Sequence, residues 1–170
     1  MARIRLFSVS RERVLKILYI CTHNRCRSIL SEAVSNHFGQ GLIEARSAGS
    51  DPAGEVHPES LKALTSEGIS TEGLQSDSWQ DVSDFNPDVV ITVCDAAAGE
   101  VCPLWMGATP KLHWGLKDPS ALDGTEEDRL QAFGDCIALI RQRLEGLMDV
   151  ASLPPERWPA ALQALGAKSS

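Results

Sequence analysis

Apolar runs and helical repeats along the chain predict an α/β fold. Apolar or partly alternating segments of strand length occupy 14–20, 42–48, 89–94 and 111–114. Apolar residues at helical spacing predict helices over 29–38, 57–67 and 126–148, while the tail after Trp158 fits either a short docked helix or a frayed end. Because strands alternate with helices, we expect one domain with a four-stranded parallel sheet and helices on both faces.

Composition narrows the class of protein. The 170 residues, 43% of them hydrophobic, suffice for one domain, which we divide into an N-terminal arm (1–13), a core domain (14–150) and a C-terminal tail (151–170). The net charge of -7 disfavours nucleic-acid and anionic-membrane partners, and no run fits a signal peptide or a membrane span. We therefore expect a cytoplasmic protein that binds small anions and other proteins. In such a reducing compartment, five cysteines indicate catalytic, redox or buried thiols.

A cysteine lies where the first predicted strand turns into the first predicted helix. Cys21 and Arg27 are separated by five residues, the length of a loop whose backbone N–H groups point inward and bind a tetrahedral oxyanion. These loop residues are Thr22, His23, Asn24, Arg25 and Cys26, and Arg27 closes the ring from the helix. The same groups favour a thiolate, so we expect Cys21 to be ionised near neutral pH and nucleophilic. Ser28 can donate its hydroxyl to the sulfur and begin the helix.

The segment from Cys21 to Ser28 resembles the active-site loop of the low-molecular-weight protein tyrosine phosphatase family, and within it is most similar to the arsenate reductases. The resemblance covers 14–148 and implies reduction of arsenate to arsenite, for arsenic detoxification, by a cysteine nucleophile and a thiol–disulfide relay. Many relatives have glycine where this chain has His23. Histidine tolerates a positive φ better than bulkier residues, so we expect the loop to form.

Two further cysteines provide the expected relay. Cys94 ends the third predicted strand, at the same sheet edge as Cys21, and Cys102 follows after a short stretch whose helix is marginal enough to unwind. Read from the residues alone, the alternative is that Cys94 is a buried strand-end thiol and Cys102 a chance surface residue. The resemblance implies that Cys94 attacks Cys21 and that Cys102 resolves the disulfide for thioredoxin, with glutathione and glutaredoxin as the alternative reductant. We expect Cys136 in the core.

Two other parts of the resemblance assign side chains to the site. Asp118-Pro119, following His113-Trp114-Gly115, resembles the family's general-acid loop, which implies that Asp118 protonates the departing oxygen. In some members a potassium ion lies beneath the loop, held by residues that match oxygen donors here. These are Asn24, Glu32, Ser47 and Asp77.

Two other functions stay open at this point. The first is a phosphatase acting on phosphotyrosine or a small phosphoester, although no aromatic residue follows Asp118 to stack on an aryl substrate. The second is a non-enzymatic oxyanion or redox sensor, which would bind without turnover. Beyond the thiol reductant and the potassium ion, we expect no tightly bound cofactor.

Overall fold

The computed structural model describes residues 13–94 and 107–169. Cys102 and all of the predicted arm except Arg13 lie outside the described residues.

Four parallel strands form the sheet. They are β1 (Leu15–Ile20), β2 (Ile43–Ala48), β3 (Val89–Thr92) and β4 (Lys111–His113), in the order β2-β1-β3-β4. Ile20 at the end of β1 pairs with Thr92 at the end of β3, and Thr92 pairs with His113 at the end of β4. The segments that follow these three strands therefore start at one edge of the sheet, where ligands bind in open α/β folds. The predicted four-stranded parallel sheet is confirmed.

Four α helices accompany the sheet: α1 (Arg27–Phe38), α2 (Pro58–Ser66), α3 (Glu126–Ala151) and α4 (Trp158–Ser169). Each of the predicted helices is present, and α1 begins earlier than the apolar repeat indicates. Thr125 and Asp128 form a reciprocal capping box at the start of α3, which satisfies two backbone donors of its first turn. At the start of α2, His57 Nδ1 accepts from Glu59 N at 3.1 Å.

The two faces of the sheet are covered differently. On one face, the Tyr19 hydroxyl lies 2.7 Å from the Ser35 hydroxyl of α1, and a Cβ on Gly166 of α4 would lie 2.6 Å from Leu112. On the other face, the cations of Lys16 and Arg46 lie 5.7 and 5.8 Å from the centre of the Phe85 ring. A 3₁₀ turn, Trp79–Val82, precedes Phe85 on this side. Helices α1 and α4 thus lie on the first face, and this turn contributes to the other.

The C-terminal segment is a docked helix, which decides between the two expectations for the tail. Trp158 and Leu162 are 2% and 1% exposed, and Trp158 Nε1 donates to Leu153 O at 3.0 Å. Arg13 lies over the Trp158 ring at 5.0 Å and pairs with Asp88 at 2.7 Å, so the first described residue meets the start of α4 beside the amino end of β3. Among residues 13–94 and 107–169, no helix combines the length and apolar character that a bilayer span requires.

Candidate active site

The loop between β1 and α1 is shaped by one asparagine. Asn24 is fully buried with φ 46°, in the left-handed region that asparagine tolerates better than most residues. Its amide donates to the hydroxyls of Ser28 at 2.8 Å and Ser47 at 2.9 Å, and its oxygen accepts from Asp77 N at 2.7 Å. The positive φ therefore falls on Asn24 and not on His23, which corrects the expectation for His23. The His23 side chain is exposed instead, with Nδ1 3.0 Å from Asp51 O.

The carbonyls of the loop point away from its centre. Thr22 O accepts from Asp51 N, His23 O from Ala53 N and Arg25 O from His57 N, each at 2.9 Å. Because a peptide group directs its N–H opposite to its C=O, the N–H groups of the following residues face the centre, as an oxyanion site requires.

Close approach of backbone holds the loop against the strand edge. A Cβ on Gly49 would lie 2.4 Å from Thr22 O and 2.6 Å from Cys21 O, distances that atoms do not adopt. Only glycine fits at this position.

Cys21 and Cys94 form a buried thiol pair at the centre of the site. They are 6% and 3% exposed, and their side chains are hydrogen-bonded to each other. Thr22 Oγ1 lies 3.8 Å from the Cys94 sulfur. The hydrogen bond to Cys94 raises the pKa of Cys21, burial and the charge of Cys94 raise it further, and Arg27 and the His23 N–H lower it. The expectation of a low-pKa thiolate at Cys21 is therefore wrong for this state, because the partner sulfur competes for the negative charge.

Arg27 is the first residue of α1, directly after the loop. Nη1 donates to Leu116 O at 3.0 Å, and Nη2 lies 3.8 Å from Asp118 Oδ2. Its Nε is buried and has no hydrogen-bond partner among the described residues. A buried donor without a partner costs free energy, so an anion that accepts from Nε stabilises this side chain.

Asp118 lies at the rim of the loop. Burial raises its pKa, but the Ser120 hydroxyl at 2.7 Å, the Ser120 N–H at 3.0 Å, and the charges of Arg27 and Arg25 together hold the pKa below its ordinary value. In this state it is a carboxylate that caps the 3₁₀ turn Pro119–Ala121. Proton donation to a leaving oxygen therefore requires a bound anion that offsets the two arginines.

Ser28 and two of the cysteines have structural surroundings. The helix begins at Arg27, so Ser28 is its second residue, and the Ser28 hydroxyl accepts from Asn24. Burial raises the pKa of Cys26 to about 12 and that of Cys136 to about 12, and they are 4% and 8% exposed. Cys136 is a core residue as expected, and Cys26 contributes its backbone to the loop.

The residues expected around a potassium ion come together beneath the loop. Ser47 donates to Glu32 at 2.6 Å, and Arg46 lies 4.0 Å from Asp77 Oδ2. Burial raises the pKa of Glu32 to about 7, with Asp77 adding to the rise and Ser47 and Arg46 opposing it. The Glu32 and Ser47 oxygens suit a monovalent cation, whereas the Asn24 oxygen already accepts from Asp77 N. No cluster of three or more metal-binding side chains occurs in the described part of the chain.

Sequence reasoning missed three contributors to the site. The Leu116 carbonyl holds Arg27, Ser120 holds Asp118, and the Thr22 hydroxyl approaches Cys94. A backbone acceptor has no residue signature, so Leu116 was beyond sequence alone. Ser120, two residues after an aspartate, matches a common local turn pattern that does signal such a bond.

Comparison with known proteins places the chain in a family. The family described as low molecular weight phosphotyrosine protein phosphatase matches residues 16–158, and the chain belongs to it. Within that family, an arsenate reductase of Shouchella clausii is 36% identical over 119 residues, 69% of this chain and 84% of the relative. A glutaredoxin arsenate reductase of Synechocystis sp. is 29% identical over 133 residues, 78% and 95% of the two chains.

A solved structure extends the similarity to the whole fold. The thioredoxin-dependent arsenate reductase of Corynebacterium glutamicum superposes with a TM-score of 0.62 at 29% identity. The match covers 88% of this chain and 71% of that one.

Proposed function

We propose that this protein reduces arsenate to arsenite, in arsenic detoxification, through thiol chemistry at Cys21 and Cys94. The observation that carries the proposal is the contact of these two thiols inside an oxyanion-binding loop. Reduction of arsenic(V) takes two electrons, which two thiols supply as they form a disulfide. Hydrolysis of a phosphoester needs only one thiol, so a second one in contact with it favours the reductase over the phosphatase. The sensor alternative has no observation that favours it.

The first step forms a covalent bond to arsenic. Arsenate binds to the inward N–H groups and to Arg27, which gives the unpartnered Nε an acceptor. The Cys21 thiol passes its proton through the bound oxyanion to Asp118, the Cys21 sulfur forms a bond to arsenic, and an arsenic–oxygen bond breaks as a hydroxyl group of arsenate leaves as water. Asp118 delivers the proton to that oxygen, because the bound anion offsets Arg27 and Arg25 and so raises the pKa of Asp118.

The second step transfers the electrons. Cys94 attacks the Cys21 sulfur, the sulfur–arsenic bond breaks with its electron pair left on arsenic, and arsenite leaves with the Cys94 proton on one of its oxygens. The Thr22 hydroxyl, 3.8 Å from the Cys94 sulfur, can donate to that sulfur while it carries negative charge. A Cys21–Cys94 disulfide remains.

A thiol reductant then restores the enzyme. We assign Cys102, which lies outside the described residues, as the thiol that resolves the disulfide by attacking Cys94. Thioredoxin is the proposed reductant, because two further thiols in one chain can present a disulfide for direct exchange. The relatives include both a thioredoxin-dependent and a glutaredoxin enzyme, so glutaredoxin with glutathione is the alternative that the assay must include.

Three further assignments accompany this function. Potassium, where it binds, is held by Glu32 and Ser47 with Asn24 and Asp77 beside them, and it supplies positive charge beneath the loop. A cytoplasmic location follows from chemistry that requires reduced thiols. The division into arm, domain and tail also stays a proposal.

The test couples arsenate reduction to NADPH oxidation through thioredoxin and its reductase, with glutaredoxin and glutathione in a parallel assay. We expect Cys94→Ser to abolish arsenite release in both assays, because the thiol that attacks the Cys21 sulfur is then missing. Hydrolysis of an aryl phosphate by the same variant should persist, since Cys21, Arg27 and Asp118 remain. Steady coupled turnover by a Cys94→Ser, Cys102→Ser double variant would contradict the relay.

A further inference from the structure

The loop after β4 carries two parts of the site at once. Arg27 Nη1 donates to Leu116 O at 3.0 Å, and Asp118 Oδ2 lies 3.8 Å from Arg27 Nη2. A shift of this loop would therefore displace the guanidinium and the carboxylate together. Whatever fixes the loop controls both oxyanion binding and proton transfer.

The sheet holds one side of this loop. Trp114 N donates to Thr92 O at 2.8 Å, and Leu116 N donates to Val93 O at 3.0 Å, which continues the hydrogen bonding of β3. Gly115, between them, has φ 60°, a left-handed conformation that favours glycine. The Trp114 carbonyl at this turn accepts a hydrogen bond from α3 instead.

Arg143 of α3 supplies that bond. Its Nη1 donates to the Trp114 carbonyl, and its guanidinium lies 5.9 Å from the centre of the Trp114 ring. The ring is 5% exposed and packs against Tyr19 of β1, with centroids 5.4 Å apart. Arg143 thus contacts both the backbone and the side chain of Trp114. The Trp114 ring in turn packs against β1, the strand that precedes Cys21.

The other arginines of the same helix have different partners. Arg129 donates to both carboxylate oxygens of Glu59, at 3.1 and 3.0 Å, and Arg141 lies over the Phe38 ring at 4.1 Å. Among the described residues, no carboxylate lies within salt-bridge distance of Arg143. Its positive charge is therefore directed at the loop and not at an ion pair.

We propose that Arg143 is a positioning residue that fixes the Trp114-to-Asp118 loop from α3 and thereby sets the positions of Arg27 and Asp118. A charged donor makes a stronger hydrogen bond to a carbonyl than a neutral one, and the planar guanidinium also stacks on the indole. Lysine preserves the charge and one donor but not the planar contact, so it should restore part of the function. The inference depends on the proposed function only for the identity of the reaction in which Arg27 and Asp118 act.

The experiment compares Arg143→Met and Arg143→Lys with Arg141→Met, a matched change on the same helix that leaves the loop untouched. Binding of inorganic phosphate is measured by calorimetry, and the pH profile of p-nitrophenyl phosphate hydrolysis is recorded beside arsenate turnover. We expect Arg143→Met to weaken phosphate binding and lower kcat about tenfold each and to displace the pH profile, through Arg27 and Asp118. The phosphate affinity and kcat of Arg143→Lys should lie within about threefold of the wild-type values. Those of Arg141→Met should equal the wild-type values.

Phosphate binding does not depend on arsenate reduction, so failure of the proposed function leaves this test intact. Wild-type phosphate affinity and an unchanged pH profile in Arg143→Met, with only a lower Tm, would show a purely structural role and overturn the inference. If the methionine variant does not fold, Arg143→Gln, which keeps a donor without the charge, takes its place in the same comparison.

Discussion

The hydrogen bond between Cys21 and Cys94 divides two chemical tasks between two similar side chains. The first attack needs negative charge on Cys21, beside Arg27 and the loop N–H groups, whereas the second needs it on Cys94. Two adjacent sulfurs cannot both ionise readily, because like charges in a buried site repel. In the proposed relay, bonding of Cys21 to arsenic removes that competition. Cys94 can then carry the negative charge that the second attack needs.

Removal of the second sulfur should therefore lower the pKa of Cys21. In Cys94→Ser, the hydroxyl donates to the Cys21 thiolate and carries no charge of its own, so the two causes that Cys94 supplies are lost. Burial still raises the pKa of Cys21, and Arg27 and the His23 N–H still lower it. We expect iodoacetamide to label Cys21 at lower pH in this variant than in the wild type. Peptide mass spectrometry separates Cys21 from the buried Cys26 and Cys136, which serve as internal controls. An unchanged labelling profile would contradict the shared-proton interpretation.

Asn24 stabilises the loop element through both its side chain and its backbone. Three hydrogen bonds connect its side chain to α1, to β2 and to the segment that begins at Asp77. Its left-handed backbone also lets the chain reverse direction between Cys21 and Arg27. The conformation of the oxyanion loop is therefore stabilised from beneath, before any anion binds.

The structure offers a matched pair for this element. Asn86 also has a positive φ, 56°, but its amide makes only a local bond, to Asp84 O at 3.3 Å. We expect Asn86→Ala to cost about 1 kcal/mol of unfolding free energy, for the backbone conformation alone, and Asn24→Ala to cost about 3 kcal/mol, since it also loses buried bonds. Urea unfolding measures both, and phosphate binding should weaken only in Asn24→Ala. Equal losses in the two variants would show that the buried bonds contribute nothing.

The pattern of apolar residues predicted the strands and helices correctly but did not predict the conformation of the loops. Strand and helix periods follow from which side chains face the core, so β1, β3 and α3 were visible in the sequence. The positive φ at Asn24 and the carbonyl of Leu116 depend on tertiary contacts between distant segments, which no local pattern encodes. The family's motif identified Cys21, Arg27 and Asp118 as candidates, but not the proton shared with Cys94.

The net charge of the whole molecule is negative, whereas arginines surround its site. The chain carries a net charge of -7, yet Arg25 and Arg27 lie at the oxyanion loop and Arg46 lies beneath it. Glu32 is a half-buried carboxyl near the base of the loop that accepts a hydrogen bond from the Ser47 hydroxyl. Its protonation connects the stability of the fold to pH and to cations.

Glu32 should make the protein less stable as pH rises from about 4.5 to about 7. Burial raises its pKa to about 7 in the folded state, against an ordinary pKa of 4.5 for the exposed group, so the folded chain holds a proton that the unfolded chain has lost. The stabilisation is complete at pH values below the pKa of Glu32 in the unfolded chain. It is lost as the pH rises through the pKa of Glu32 in the folded chain. It amounts to about 3 kcal/mol, at about 1.4 kcal/mol for each pKa unit.

Urea unfolding across this pH range measures the slope. Glu32→Gln, which keeps an acceptor for Ser47, should flatten it, and Glu44→Gln, an exposed neighbour on β2, should not. A potassium ion beside Glu32 would favour the carboxylate and reduce the wild-type slope, so the comparison is repeated in potassium chloride and in choline chloride at matched ionic strength. Equal slopes in the two salts would show that potassium does not bind beside Glu32. A steep slope in Glu32→Gln would show that Glu32 does not cause the pH dependence of stability.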